Sequence, residues 1–549
     1  RVRNSVVAQE MNIALFGFEH VIDALQPAVV NTRRLATRFY SQYLYPQISA
    51  VTEPLHKLST LEHDYFCQMM TFVYREQLIS KIGTQEGVVG CAADVWNMPV
   101  SEKKETGNIY LGLTVADKRQ SREGNGYDLI TLHVPGQGDD FLPNFRRGDM
   151  VMLYAYPADA EPHATESIVF RGNLVDIHTD SITVCLNDGQ QNPDILAVDN
   201  TAETVHSVRS CAVRYALEHA PTDAGSNGAV RGLHELMTAP QHRRDLLLGQ
   251  RPPQRTPQAH LSRSYPSGYD AVIEAVGQAS DYYLLIGPPG TGKTSMALRF
   301  MVEEELTHNG ATILLMAYTN RAVDEICGML DEAQIDYLRL GNEYSCDARF
   351  RSRLLEKAVE DCPRLTDIKQ RIASARVITG TTSMLVARPF IFNIKHFSLA
   401  IVDEASQILE PNLIGLLAAH RLGADGQEHC CIDRFVLVGD YKQLPAVVQQ
   451  SSKASAVASE ALKSIGISNC RDSLFERLIR WERRCGRQDF VGVLHRQGRM
   501  HPDIAAFPNE MFYTAEHIEP VPLPHQQETA LDYLPTDNPD ALDRLLRTR

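Results

Sequence analysis

One stretch sets the architecture of this 549-residue chain: Tyr282-Tyr283-Leu284-Leu285-Ile286-Gly287-Pro288-Pro289-Gly290-Thr291-Gly292-Lys293-Thr294. An apolar run typical of a buried strand leads directly into the pattern G-x-x-x-x-G-K-T, and a helix-forming stretch over 295–306 follows. Glycines in such a loop let backbone N–H groups surround phosphates, and the positive end of the following helix favours the anion. Because the strand and helix flank the pattern, a chance glycine-rich turn is disfavoured.

The loop residues have separate chemical roles in this interpretation. Lys293 is expected to reach the β- and γ-phosphates, and the Thr294 hydroxyl is expected to ligate Mg²⁺. The predicted nucleotide-binding residues of the loop are Gly287, Pro288, Pro289, Gly290, Thr291, Gly292, Lys293 and Thr294.

Apolar runs alternate with helix-forming segments around this loop. The predicted strands are Tyr282 to Ile286, Ile313 to Tyr318, Arg376 to Thr379, Leu399 to Val402 and Phe435 to Val438. Continuous apolar strands separated by helices indicate a parallel sheet covered on both faces, which is the α/β class. Ligands of such sheets bind at the carboxyl ends of the strands, so polar motifs at those ends are candidate site residues.

Two such motifs follow the fourth and fifth strands. Asp403 and Glu404 form an acidic pair, in which Asp403 would hold Mg²⁺ and Glu404 would orient and deprotonate the attacking water. Gln443, in the sequence from Gly439 to Pro445, can donate a hydrogen bond to a γ-phosphate. An exposed strand-end turn is the alternative for the acidic pair, and the upstream phosphate loop disfavours it.

The chain before the loop has a different character. Residues 1–104 are predicted to be mostly helical, with the clearest helix at 61–82, whose apolar side chains fall largely on one face. Short β-runs separated by turns then predict a small antiparallel barrel. These runs are Ile109 to Val115, Tyr127 to Val134, Asp149 to Tyr154, Ile168 to Ile177 and Ser181 to Leu186. Residues 211–262 are predicted to be a helical stalk and linker.

Composition places the chain among globular proteins. The eleven cysteines include no C-x-x-C pair, and no apolar run approaches the roughly 20 residues that span a bilayer. We therefore expect a soluble intracellular protein without a membrane partner, cytoplasmic or, in a eukaryote, nuclear. The net charge of −14 argues against coating of nucleic acid by bulk positive charge. Arginines cluster at 243, 244, 251 and 255 and again at 477, 480, 483, 484 and 487, and we interpret both clusters as solvated helix faces.

Six motifs together resemble those of the superfamily 1B helicases, in order and in spacing. They are Gly287 to Thr294, Thr319 to Asp324, Thr379 to Thr382, Asp403 to Gln407, Gly439 to Pro445 and Gln497 to Pro502. The chain is most similar to the branch that contains the nonsense-mediated-decay RNA helicase and the Okazaki-fragment nuclease-helicase. This resemblance implies a RecA-like ATPase domain at 263–485 and an incomplete second RecA-like domain at 486–549. By this resemblance the barrel, at 105–210, would be the insertion that such enzymes carry, and residues 1–104 would form a helical N-terminal region.

The resemblance also implies roles for individual residues. Asn320, Thr381 and Thr382 would lie along the nucleic-acid backbone. Gln443 would couple the γ-phosphate to strand contact, and Gln497 and Arg499 would face the nucleotide from the second RecA-like domain. The β-run from Phe490 to Leu494 would be the first strand of that second domain.

Two departures from the family pattern change the expectations. The position at which the family usually has an adenine-reading Gln is Gly268 here, which puts adenine selectivity in question. The chain also starts at Arg1 rather than Met and ends before the later motifs, including the arginine finger, whose loss can lower turnover by about 10³- to 10⁵-fold. We therefore expect a piece of a longer protein that turns ATP over weakly, with room for a nuclease domain upstream.

The sequence thus predicts an ATP- and Mg²⁺-dependent helicase or translocase acting 5′ to 3′ on a single nucleic-acid strand. DNA is favoured over RNA as that strand. One alternative is a P-loop ATPase that acts as a switch or assembly module, which the negative charge favours and the motif order disfavours. The other alternative is an RNA helicase of the same fold, because contacts to the backbone carry little information about base or sugar.

Overall fold

The computed structural model describes most of the chain. The described residues are 2–23, 25, 38–83, 92–120, 128–138, 141–187, 213–220, 224–256, 260–266, 268–423, 425–521 and 523–524. Two compact units divide the chain. The first unit comprises Arg1–Tyr74, Gly225–Gly341 and Cys346–Arg549, and the second comprises Arg75–Ala224 and Asn342–Ser345. No helix of the described residues is both long and apolar enough to cross a membrane.

The strands are numbered in chain order. They are β1 Ile109–Arg119, β2 Leu129–His133, β3 Met150–Pro157, β4 Val169–Ile177, β5 Ser181–Leu186, β6 Val213–His219, β7 Tyr282–Ile286, β8 Ile313–Ala317, β9 Leu338–Arg339, β10 Val377–Thr381, β11 Phe397–Val402, β12 His420–Leu422, β13 Glu428–Cys430, β14 Ile432–Gly439, β15 Val491–Val493, β16 Arg496–Gln497 and β17 Glu519–Pro520.

The α-helices are named by their residue ranges. They are Val2–Phe16, Glu19–Ile22, Tyr45–Thr52, Thr60–Ile82, Asp94–Asn97, Val100–Glu105, Ala224–Thr238, Gln241–Leu247, Asp270–Gln278, Arg299–Glu305, Asn320–Glu332, Leu355–Ala358, Leu365–Ser374, Thr382–Ala387, Phe390–Ile394, Glu410–Leu417, Glu460–Ser464, Leu474–Arg484 and Pro502–Phe512. Short 3₁₀ or π-helical turns are Tyr40–Leu44, Glu53–Lys57, Ala164–Glu166, Lys293–Leu298, Glu343–Ser345, Ala348–Arg353, Ala405–Gln407, Gln488–Phe490 and Thr514–Glu516.

A seven-stranded sheet in the order β15-β7-β14-β11-β8-β10-β9 is the centre of the first unit, and its neighbouring strands all pair in parallel. Its side chains alternate between two apolar cores: Leu284 and Ile286 belong to one, and Tyr283 and Leu285 to the other. The predicted α/β fold with a doubly covered parallel sheet is confirmed. The five predicted apolar runs correspond to β7, β8, β10, β11 and β14.

The second unit contains a closed antiparallel barrel in the order β1-β2-β5-β4-β3-β6, so the predicted barrel is confirmed. Its sixth strand, Val213–His219, lies in the segment predicted to be a helical stalk, and that prediction is wrong there. The segment pairs along its full length with β3. It holds the buried carboxylate of Glu218, which forms a salt bridge of 2.8 Å with Lys103. Because Glu218 is charged but buried, it interrupts the alternation of apolar and polar residues by which a strand is predicted.

The β-run at 490–494 is also placed differently from its prediction. Strand β15 pairs with Leu284–Ile286 of β7 and so extends the sheet of the phosphate loop, instead of starting a second sheet. The backbone N–H of Leu494 continues this pairing with the carbonyl of Ile286 at 2.9 Å. Strand β7 is apolar on both faces, and an uncovered edge there would be a site of aggregation. A second RecA-like domain at 486–549 stays a prediction.

The arginine clusters are not uniformly solvated, which corrects the sequence interpretation. Arg483 and Arg484 are exposed, but Arg243 and Arg477 are buried. Arg243 donates to the carbonyl oxygens of Ile432 and Asp433, at 2.6 and 2.9 Å. A buried arginine needs such fixed acceptors, and those acceptors come from distant parts of the chain.

Candidate nucleotide-binding site

The phosphate loop follows β7 and is shaped by its glycines. Gly290 and Gly292 adopt left-handed backbone conformations, with φ values of 76° and 73°. A Cβ atom at Gly287 would lie 2.2 Å from Cγ of Lys293, so a side chain there would displace the lysine. The Gly287 N–H donates to the carbonyl of Gly439 at 2.9 Å, which joins the start of the loop to the end of β14.

Lys293 lies inside the loop and is partly buried. Its ammonium donates to the carbonyl of Gly287. Burial lowers the pKa of Lys293, and the carboxylates of Asp440 and Asp403 act in the opposite direction. An ammonium that is partly buried and donates to a carbonyl is well suited to bind a phosphate oxygen.

Thr294 and Asp403 are brought together from positions far apart in the sequence. The Thr294 hydroxyl donates to Oδ2 of Asp403 at 2.6 Å, and the Glu404 N–H donates to Oδ1 at 2.9 Å. Asp403 is only 2% exposed, and burial raises its pKa, while the bonds from Thr294 and Glu404 lower it. A hydroxyl and a buried carboxylate are hard oxygen donors that fit Mg²⁺ bound with a substrate phosphate.

Glu404 follows Asp403 in a strained backbone conformation. Its φ of 53° lies in the left-handed region, which residues other than glycine rarely adopt. Burial raises the pKa of Glu404, and the neighbouring charges of Asp403 and Glu325 raise it further. A carboxylate with a raised pKa is a better general base near neutral pH than an ordinary glutamate.

Gln443 lies in the loop after β14 and is exposed. Its side-chain Nε2 donates to Oδ2 of Asp440 at 2.7 Å. The amide is therefore held by a carboxylate of its own loop. Gln443 lines the same cleft as Lys293 and Asp403.

The segment around Gln497 lies directly against the phosphate loop. The Gly498 N–H donates to the carbonyl of Gly290 at 2.9 Å, and a Cβ atom at Gly290 would lie 2.6 Å from Cβ of Arg499. Gln497 is buried, and its Oε1 accepts from the Met500 N–H at 2.6 Å. Arg499 is exposed and lines the cleft. Arg499 can lie this close to the phosphate loop because Gly290 has no side chain.

A cleft of about 1090 Å³ joins these parts. Of the predicted site residues, it is lined by Pro288, Pro289, Gly290, Thr291, Gly292, Lys293, Thr294, Asp403, Glu404, Gln443 and Arg499. Gly287 and Gln497 lie directly behind this lining, since Gly287 contacts Lys293 and Gln497 approaches Gly290.

The three residues predicted to contact nucleic acid do not line the cleft. Asn320 is exposed at the first position of the helix Asn320–Glu332. Thr381 ends β10, and its hydroxyl caps the next helix by accepting from the Met384 N–H at 3.1 Å. Thr382 is buried. Their role along a strand stays a prediction.

Sequence reasoning missed several residues of the cleft. Tyr269 donates from its hydroxyl to the carbonyl of Thr291 at 3.0 Å, next to Gly268, whose φ is 98°. Arg321 and Glu325 lie one helical turn apart beside Glu404, and both line the cleft. Their i, i+4 spacing directly after β8 was an available signal, whereas no local pattern marks Tyr269.

Comparison with known proteins finds similar sequences for this part of the chain. A family model described as an AAA domain matches residues 270–449, which contain the phosphate loop, Asp403, Glu404 and Gln443. The DNA replication ATP-dependent helicase/nuclease DNA2 of Xenopus laevis is 35% identical over 260 residues, which are 46% of this chain and 21% of that protein. Over these 260 residues the chain is similar to an ATP-dependent helicase/nuclease.

Two further similarities extend over more of the chain. The DNA2 helicase/nuclease of Bos taurus is 26% identical over 490 residues, which cover 86% of this chain and 40% of that protein. The crystal structure of Arterivirus nonstructural protein 10, a helicase, is 14% identical with a TM-score of 0.29, and the match covers 74% of this chain and 59% of that one. The chain thus spans less than half the length of these DNA2 relatives.

Proposed function

We propose that this chain is the motor part of an ATP-dependent DNA helicase that moves 5′ to 3′ along a single strand. One observation carries the proposal. Side chains from four separate stretches of sequence, represented by Lys293, Asp403, Gln443 and Arg499, line one cleft next to a phosphate loop. A simple nucleotide-binding loop does not require all four.

The roles of the residues follow from their positions. Lys293 and the loop N–H groups bind the β- and γ-phosphates, and Thr294 and Asp403 hold Mg²⁺. An Mg²⁺ ion held by Thr294 and Asp403 would supply positive charge next to the transferred phosphoryl group. Glu404 takes a proton from the attacking water. Arg499 and Gln443 contact the γ-phosphate from the other side of the cleft.

The choice of DNA is supported by the DNA2 relatives, which are called DNA replication helicase/nucleases. Asn320, Thr381 and Thr382 are proposed to follow the strand backbone. The parent protein is proposed to be intracellular and to carry a nuclease domain upstream.

The test is the ATPase rate of the full-length natural protein with and without single-stranded DNA, over a range of salt concentrations. We expect stimulation by DNA that weakens as salt rises, because phosphate contacts release counterions. Lys293→Ala should abolish the stimulated rate. Lys453→Ala removes an exposed lysine outside the cleft and serves as the matched control.

The alternatives give different results in the same assay. An ATPase switch would hydrolyse ATP without stimulation and would show no salt-sensitive strand binding. An RNA helicase would be stimulated more by RNA, and RNA oligonucleotides would displace DNA in competition. Either result would overturn the proposal.

A further inference from the structure

Asp440 is a buried carboxylate at the end of β14, beside the nucleotide cleft. It is 2% exposed. Its Oδ2 accepts from Gln443 Nε2 and from the Tyr513 hydroxyl, each at 2.7 Å, and its Oδ1 accepts from the Lys442 N–H at 3.0 Å. Its own N–H donates to the hydroxyl of Ser406 at 3.2 Å, just after the acidic pair. Asp440 therefore connects three parts of the site, through its carboxylate and its backbone N–H.

Tyr513 reaches Asp440 from a distant part of the chain. It follows the helix Pro502–Phe512 and is 5% exposed. A second connection runs in parallel, because Lys442 Nζ donates to the carbonyl of Phe512 at 2.6 Å and pairs with the buried Glu516 at 2.5 Å. The segment 512–516 is thus attached to the loop that carries Gln443.

The two donors to Oδ2 of Asp440, Gln443 and Tyr513, have different roles during ATP hydrolysis. Gln443 has to leave Asp440 if its amide is to reach a γ-phosphate. A buried carboxylate that loses a donor is destabilised unless another donor remains. Oδ1 keeps the Lys442 N–H, and at Oδ2 the donor that remains is the Tyr513 hydroxyl, which is held in place by its buried ring.

We propose that Tyr513 is a positioning residue for ATP hydrolysis, whose hydroxyl holds Asp440 in place while Gln443 exchanges between Asp440 and the γ-phosphate. This rests on the proposed ATPase function. Because Tyr513 directly follows the helix Pro502–Phe512, the rate of ATP hydrolysis would depend on the position of that helix.

The test is Tyr513→Phe, which keeps the ring and removes only the hydroxyl. In the full-length natural protein we expect kcat for strand-stimulated ATP hydrolysis to fall about 10- to 100-fold, the effect of one hydrogen bond to a charged group. The KM for ATP should change less than about twofold, because Tyr513 does not line the cleft.

The matched control is Tyr65→Phe, which removes another buried hydroxyl that donates to a buried carboxylate, Glu410, at 2.8 Å. Tyr65 does not line the cleft, so this variant should keep the wild-type kcat. A merely structural Tyr513 would behave as Tyr65 does.

A double-mutant cycle decides whether Tyr513 acts through Gln443. We expect Gln443→Ala with Tyr513→Phe to be no slower than Gln443→Ala alone, since both changes interrupt the same step. Additive losses, or an unchanged kcat in Tyr513→Phe, would overturn the proposal. An inactive wild-type protein would instead overturn the proposed function itself.

Discussion

Two buried carboxylates, seven residues apart, differ in how their charge is compensated. Glu410 is 1% exposed and accepts two bonds of 2.8 Å from the guanidinium of Arg477 and one of 2.8 Å from the hydroxyl of Tyr65. Asp403 is equally buried but accepts from one hydroxyl and one backbone N–H. Within the described part of the chain, Asp403 forms no salt bridge.

This difference indicates that Glu410 is a structural carboxylate, whereas Asp403 can bind a cation. Removing a carboxylate from water is costly unless a countercharge or hydrogen bonds replace the water. Glu410 has a permanent countercharge, and it raises the pKa of Arg477 against the opposing effect of burial. Asp403 retains unused capacity to accept a cation. The proposed Mg²⁺ site is therefore where the protein tolerates an incompletely compensated charge.

The largest effect expected from this comparison is on catalysis. Asp403→Asn should lower ATP turnover about 10³-fold, because a correctly held divalent cation stabilises the transition state by several kcal/mol. Chemical denaturation should show that the variant folds at least as stably as the wild type. Steady-state hydrolysis at saturating Mg²⁺ checks the first expectation, and a large loss of stability would contradict the distinction.

Breaking the ion pair between Arg477 and Glu410 should instead lower the stability of the fold. Arg477→Met should lower the free energy of unfolding by about 3–5 kcal/mol, because Glu410 is left buried without its countercharge. Urea denaturation measures this cost. The double variant Arg477→Met with Glu410→Leu should recover most of the stability, and a cost that persists in full would show that the ion pair is not its cause.

Binding of a nucleotide with Mg²⁺ should stabilise the protein in a way that depends on Asp403. At a ligand concentration 100 times its Kd, Mg²⁺ with ADP should add about 2.7 kcal/mol to the free energy of unfolding. We expect most of this gain to be lost in Asp403→Asn and kept in Tyr65→Phe. Denaturation with Mg²⁺ alone, ADP alone and both together separates the contributions, and equal gains in both variants would contradict the assignment.

The smallest expected effect is on the pH dependence of stability. The folded state raises the pKa of Asp403 above its ordinary value of 3.8, so the folded protein binds more protons than the unfolded chain just above that pH. Stability therefore falls as pH rises through this window. Asp403→Asn lacks this loss, so its stability relative to the wild type should increase as pH rises above the ordinary pKa of an aspartate. A constant difference would show that the ionisation of Asp403 does not contribute.

The same pair of carboxylates shows what can be predicted from sequence. Asp403 was predictable because it directly follows an apolar strand in a chain with a phosphate loop, and its partner Thr294 belongs to that loop. Glu410 was not singled out, since its partners are 67 and 345 residues away. Arg477 was misinterpreted as solvated for the same reason. Local patterns indicated the parallel sheet and the phosphate loop, but not the pairing of distant polar residues.

The prediction of strands from the sequence is limited in the same way. The apolar strands of the sheet were predictable because they are buried on both faces and need no special partner. Strand β6 was missed because Glu218 lies on a core face with Lys103 as its partner. Tyr513 carries no local signal, because its importance depends on contact with Asp440, 73 residues earlier.

The most direct test of the central claim is the ATPase rate of the full-length natural protein at fixed Mg²⁺ and ATP, measured with and without single-stranded DNA, beside Lys293→Ala and Lys453→Ala. We predict a DNA-stimulated rate that Lys453→Ala keeps and Lys293→Ala loses. A rate that DNA does not change, or that survives Lys293→Ala, would contradict the claim that this cleft is the motor of a helicase.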